Sequence, residues 1–227
     1  MFVVATASQP RLRADALRNR ERIVTAAREV LVEHGVESSL DEIARRAGVG
    51  NATLYRHFAD RRELIHHVTL FVMGRIADQA ETARSEESDA FQALRRFVHA
   101  AADERIGALC SLLADSGVDR DHPDHVVARE RTEVAIEALL ADARAAGQLR
   151  DDIAIGDLMV AITQLTRPLP DSGCIDFDQF VHRHLQLFLD GLAAPARSRL
   201  PGTPVTLDDL RQKAAQAASR TTDLSHP

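Results

Sequence analysis

The chain is predicted to be all-α, a small three-helix domain followed by a larger helical one, and three observations carry that expectation. Apolar residues recur at i, i+3, i+4 and i+7 in segment after segment. Glycine, proline or a capping Ser or Asp falls where most of these segments begin or end. No stretch alternates apolar and polar residues with period two, and no internal repeat occurs.

The organising stretch is 39–58, SLDEIARRAGVGNATLYRHF. In its first half Leu40, Ile43, Ala44 and Ala47 share one helical face. Ser39 with Glu42 forms the S-x-x-E capping box, in which each side chain is expected to satisfy a backbone donor at the helix start. Gly48 stops that helix, because a residue without Cβ enters the left-handed conformation cheaply. A second helix from about Asn51 turns only Leu54 and Phe58 inward. Asn51, Ala52, Thr53, Tyr55, Arg56 and His57 are left facing out, a surface of amide, hydroxyl, phenol, guanidinium and imidazole. A small residue at the crossing, a glycine at the turn and an apolar anchor in the second helix spell a helix-turn-helix, whose second helix lies in the DNA major groove. An ordinary helical corner with a polar face fits the same pattern.

The flanks favour the first reading. The run from Arg20 through Leu64, with ARRAGVGNATLYRHFADRREL at its centre, resembles the DNA-binding domain of TetR/AcrR-type transcriptional regulators. The resemblance implies DNA contacts from Thr53, Tyr55, Arg56 and His57, and a phosphate contact from Arg61, where the family usually has lysine. The family's common serine at the start of the recognition helix is Gly50 here, which removes a hydroxyl contact and a cap; Asn51 is expected to replace either. The residues expected at DNA are therefore Ser39, Gly50, Asn51, Thr53, Tyr55, Arg56, His57 and Arg61.

Net charge is −6, which looks wrong for a DNA binder until it is divided along the chain. Residues 1–76 hold 12 Arg against 9 Asp and Glu, a balance of +3, and the remainder carries −9. The basic end can face phosphate while the acidic body stays clear. Cys110 and Cys174 lack CxxC spacing, which suits a reducing cytosol. No signal peptide or membrane-spanning run is read, so a cytoplasmic location is expected.

Residues 1–17 are expected to form an irregular arm, and 18–62 the DNA-binding domain. A helix from about Arg18 to His34 buries Ile23, Ala27, Val30 and Leu31. Asp60 then caps a long helix to about Thr82, the lever into a second domain, 63–194. Helices follow around Phe91–Ala101, Ile106–Leu113 and Pro123–Ala146, then at 156–166 and Phe177–Leu192, with RPLPDSGC as a loop between the last two. The helix at 156–166 is apolar in five consecutive positions, Leu158 to Ile162, so it needs cover on two sides. A second subunit supplies that cover if the last two helices of each chain form a four-helix bundle through Leu158, Ile162, Leu165, Val181, Leu185 and Phe188; a buried central helix in a monomer is the alternative. The tail, 195–227, is assigned no function beyond a short helix over 206–219.

No Gly-rich phosphate loop, HExxH or nucleophile elbow is present, and no catalytic residue or cofactor is expected. His122 and His125, with Asp124 between them, are read as caps and surface residues, and no metal site is assigned. His66 and His67 point about 100° apart and cannot chelate together, so they are read as solvated or capping. The family resemblance, not periodicity, implies a ligand cavity in the second domain, with Phe97, Leu109, Leu112 and Glu130 as candidate lining. These readings describe a homodimeric regulator of a pseudo-palindromic double-stranded operator, a repressor expected to be released by a small-molecule effector. From another class, an all-helical small-molecule sensor or enzyme whose helix-turn-helix is only structural fits the composition too.

Overall fold

A computed structural model of the chain describes residues 9–35, 37–107, 119, 121–167 and 178–223. Among these the regular elements are all helical, in the order α1 (Gln9–His34), α2 (Leu40–Ala47), α3 (Asn51–His57), α4 (Arg61–Glu86), α5 (Ala90–Asp103), α6 (Pro123–Ala145), α7 (Ile155–Leu165), α8 (Asp178–Leu192) and α9 (Leu207–Asp223). No helix among the described residues is long and apolar enough to cross a membrane. The chain divides into two compact units, Met1–Met73 with Ala108–Val127, and Gly74–Gly107 with Ala128–Pro227. Two of the three boundaries, after Met73 and after Val127, fall inside helices, α4 and α6, where no loop marks the place in the sequence.

The first unit is built on α1, whose Ile23, Val24, Ala27, Val30 and Leu31 are buried. α1 begins at Gln9, so the expected irregular arm is helical from there. The segment QPRLRADALRNR contains good helix formers and an ion pair between Arg18 and Asp15 at i, i+3, which lets the helix extend past its packed part. Leu17 stays 63% exposed on this extension. Gly35, at φ 83°, closes α1 with its N–H on the Leu31 carbonyl, 2.9 Å. α4 starts from Asp60, which accepts the Glu63 N–H at 2.8 Å, while the Glu63 carboxylate takes the Ala59 N–H at 2.6 Å. Leu64, Ile65 and Val68 then enter the core.

In the second unit α5 is capped by Asp89, which accepts the Gln92 N–H at 2.8 Å and a bond from the Gln148 amide at 2.6 Å. Ala93, Leu94, Phe97, Val98 and Ala101 form its buried face. Gly107 passes so close to the end of α7 that a Cβ there would sit 2.3 Å from the Thr163 carbonyl oxygen and 2.8 Å from the Arg167 nitrogen. Its N–H donates to Thr166 Oγ1 at 3.0 Å. On the surface Arg131 of α6 joins Asp78 and Glu81 of α4, and Arg84 joins Asp142.

The tail is docked through α9 and the segment before it. Arg150, 6% exposed, holds Asp152 through two bonds of 2.6 and 3.0 Å and donates to the carbonyls of Gly191 and Ser198 at 3.1 and 2.7 Å. The guanidinium keeps the Asp152 carboxyl down at about 2. Asp157 accepts the N–H groups of Ala154 and Val205, and Gly156 leaves no room for a Cβ against the Val205 carbonyl. A capping box between Thr206 and Asp209 starts α9.

Burial corrects the residues expected at a subunit contact. Leu158, Ile162 and Leu185 are 0% exposed within their own subunit, so a second copy cannot reach them. Periodicity finds the apolar side of a helix without saying which neighbour covers it. Leu165, Val181 and Phe188 are half-buried, and the exposed apolar groups on α7 and α8 are Val160, Phe180 and Leu187.

Of the expected cavity lining, Phe97 is sealed in the core and Glu130 is exposed on α6, so Glu130 does not face inward. Leu109 and Leu112 lie outside the described residues, as do Cys110, Cys174 and most of the RPLPDSGC loop.

Candidate nucleic-acid interface

α2 begins where Ser39 Oγ accepts the Glu42 N–H at 3.1 Å. The return half of the expected box is not made. The Glu42 carboxylate instead faces Arg45, at 2.9 and 2.6 Å, because a guanidinium one turn on competes for it more strongly than a neutral amide. Gly48 sits at φ 64°, ψ 38°, with its N–H on the Arg45 carbonyl, and Val49 N–H reaches the Ala44 carbonyl at 3.0 Å. That pair of bonds is the Schellman arrangement, which fixes the angle at which the chain leaves α2.

α3 follows from Gly50, whose carbonyl accepts the Thr53 and Leu54 N–H groups at 2.8 and 3.1 Å. No side chain caps it. Asn51 was expected to take over that role and does not. Its amide donates to Asp41 at 2.6 Å and so ties the first residue of α3 back to α2. Leu54 and Phe58 are buried at 1% and 0%, while Asn51, Ala52, Tyr55 and Arg56 are exposed and Thr53 is half-buried. Tyr55 leaves 52% of its surface in solvent, a large exposure for an aromatic side chain.

Arg20 of α1 holds the far end of α3. Its guanidinium stacks 4.9 Å from the Phe58 ring centroid, donates to the His57 carbonyl at 3.5 Å and meets Nε2 of His67. A cation at the C-terminal carbonyls of a helix is favourably placed. Nothing in the sequence motif singled out Arg20, because its partners lie 37 and 47 residues away.

His57 departs from the outward row. Its Nε2 is buried without a hydrogen-bond partner among the described residues, and burial pushes the imidazole below its ordinary value of 6.5, with Arg56 and Arg20 adding to the effect. His99 in the second unit is shifted the same way, by burial first; it faces His182 Nδ1 at 2.9 Å, with Arg95, Asp103 and Gln186 around it. For both groups the unfolded chain takes up protons before the folded one. Stability is complete above pH 6.5 and falls as pH drops through the window below it. Urea midpoints at pH 7.5 and 5.5 should decrease in that order, and replacing both histidines by glutamine should reduce the difference without removing it, because burial shifts His66 and His67 downward as well.

Arg61 was expected at phosphate. Its guanidinium donates to the Ser38 carbonyl, bracing α4 against the loop before α2. Arg56 and Arg62 are exposed, and no ion pair among the described residues involves either. Arg45 is paired with Glu42, and Arg46 with Glu33 at 2.8 Å. The available cations at this surface are thus Arg56 on α3 and Arg62 at the start of α4.

Residues 23–68 match the bacterial regulatory proteins of the tetR family, and residues 75–194 match the C-terminal domain of SbtR-like transcriptional regulators. An HTH-type transcriptional regulator of Staphylococcus aureus is 45% identical over 58 residues, 25% of this chain and 31% of that protein, so the chain covers under a third of that relative's length. Among solved structures, a TetR transcriptional regulator from Streptomyces coelicolor is 31% identical, with 78% of this chain and 99% of that one aligned at a TM-score of 0.61. A TetR regulatory protein from Mycobacterium vanbaalenii gives 30%, 81%, 99% and 0.61 in the same measures. The regulator LfrR from Mycobacterium smegmatis, solved in complex with proflavine, shares the fold at 20% identity and a TM-score of 0.56 over 81% of this chain and 99% of that one. With a match in each part of the chain and two such regulators aligned along nearly their whole length, this protein belongs to the tetR family of bacterial transcriptional regulators.

Proposed function

We propose that the protein is a cytoplasmic, homodimeric repressor that grips a pseudo-palindromic operator with α3 of each subunit and lets go when a small molecule binds its second unit. The observation that carries the reading is α3 itself. Its buried anchors are Leu54 and, just beyond its end, Phe58, and the side left to solvent presents Asn51, Thr53, Tyr55 and Arg56, groups that hydrogen-bond base edges and phosphates. Two copies are required to span half-sites roughly 34–36 Å apart. Val160, Phe180 and Leu187, with the half-buried Leu165, Val181 and Phe188, offer α7 and α8 as the twofold contact. The proflavine complex of LfrR supports a small organic effector as the releasing signal. Effector and DNA then weaken each other's binding by the same factor, since the coupling is reciprocal.

Fluorescence anisotropy against the DNA upstream of the protein's own gene tests the reading. Tight, site-specific, salt-sensitive binding is expected; its absence across that region sinks the proposal. Within it, Arg62→Ala should weaken every sequence alike and reduce the slope of log K against log salt by about one. Arg56→Ala and Thr53→Ala should change which base pairs are preferred, each worth about 1–3 kcal/mol of discrimination. Arg61→Ala mixes the two kinds of loss, because it also frees the Ser38 carbonyl.

A further inference from the structure

His66, read from the sequence as a solvated neighbour of His67, is half-buried in the first unit among three other imidazoles. Its ring centroid lies 5.0 Å from that of His67, 4.6 Å from that of His122 and 4.5 Å from that of His125. Asp124 completes the group: its Oδ2 lies 3.9 Å from His66 Nε2 and 3.8 Å from His122 Nδ1. One ligand atom from each of His66, His122 and Asp124 falls within 4.8 Å of the other two.

We infer that these three residues form a site for one divalent first-row transition-metal ion, zinc by preference. The donor set, two imidazole nitrogens and one carboxylate oxygen, is the borderline kind that such ions select over magnesium or calcium. Ligand bonds of about 2.0–2.2 Å require the three donor atoms to close to roughly 3.4 Å of one another, a movement of about half an ångström along the two Asp124 edges and of more along the His66–His122 edge, where the donors lie within 4.8 Å. His122 Nδ1 accepts the Asp124 N–H at 3.2 Å, so that nitrogen already carries a lone pair, and ligation replaces this bond. His125 is the positioning residue. It is 2% exposed, its Nδ1 donates to the Asp119 carbonyl at 2.7 Å, and its ring packs on His66, which holds the start of α6 against α4. Three protein ligands leave a fourth position for water or for an exogenous group.

The site lies outside the recognition surface, yet it is linked to it by the next residue. His67 meets Arg20, and Arg20 grips the carbonyl end of α3 and the Phe58 ring. An ion that pulls His66 toward the start of α6 acts on the helix that carries His67.

The test is titration of the full-length, chelator-treated chain with zinc by calorimetry, and with cobalt(II) by visible absorption, whose intense bands report four-coordination. One ion per chain is expected at this site. Asp124→Asn, whose parent side chain is 62% exposed, should weaken uptake at least about tenfold, the loss that disturbing even outer-shell partners of a metal produces. His66→Gln should do the same, and exposed His184→Gln, outside the group, should change nothing. Melting curves with chelator present show that the variants fold. No uptake by the parent chain, or uptake unchanged in the Asp124→Asn, His66→Gln double variant, overturns the proposal. Neither readout involves DNA, so the outcome is separate from that of operator binding.

Discussion

Phe58→Ala is expected to destabilise the first unit by about 3–5 kcal/mol, the range for removing a fully buried phenylalanine, and to abolish operator binding with it. Three neighbours depend on the ring. Leu54 shares its side of α3, His67 stands edge-on at 5.6 Å between centroids, and Arg20 lies over its face. Losing the ring opens a cavity and unseats the guanidinium that holds the His57 carbonyl. Phe58→Leu separates the effects. It keeps most of the buried volume, so stability should largely return, while the cation–π contact, worth about 0.5–2 kcal/mol, does not. Urea unfolding followed by far-ultraviolet circular dichroism, with anisotropy on the same samples, gives both quantities. A Phe58→Ala chain that unfolds at the parental midpoint contradicts the packing described here.

The other large effect is expected from one added methyl group. Gly107→Ala places a carbon where the Thr163 carbonyl oxygen and the Arg167 nitrogen already stand, and both belong to backbone that cannot swing aside. The cost should lie at the upper end of the about 1–3 kcal/mol typical of overpacking. It should be read in the second unit: a lower unfolding midpoint with little change in the affinity of whatever chain remains folded. Gly50→Ala is the control, since a Cβ there meets nothing within 4 Å and the backbone is extended.

Helices were legible wherever one face packs within its own unit. Ile23, Ala27, Val30 and Leu31 on α1, and Leu54 and Phe58 around α3, are buried as their spacing required. The turn was legible because Gly48 performs a task that few other residues perform. What could not be read depends on residues far apart in sequence. Glu42 had a rival suitor in Arg45, and Asn51 found Asp41 in place of its own helix. Arg61 met a carbonyl from 23 residues earlier. His66 carried no signal, because its neighbours His122 and Asp124 come from the distant stretch of sequence at the start of α6. Leu158, Ile162 and Leu185 show the limit of periodicity most plainly. Their apolar face was real, and the subunit's own core had already claimed it.

Arg150 has a practical corollary for anyone shortening or tagging the polypeptide. One guanidinium fastens Asp152, the close of α8 and the Ser198 carbonyl together, and Asp157 and Glu133 receive bonds from Val205 and Arg211 further on. Trimming before Ser198 therefore strips acceptors and donors from groups inside the body of the protein, whereas an affinity handle added beyond Asp223 leaves all of these fastenings in place.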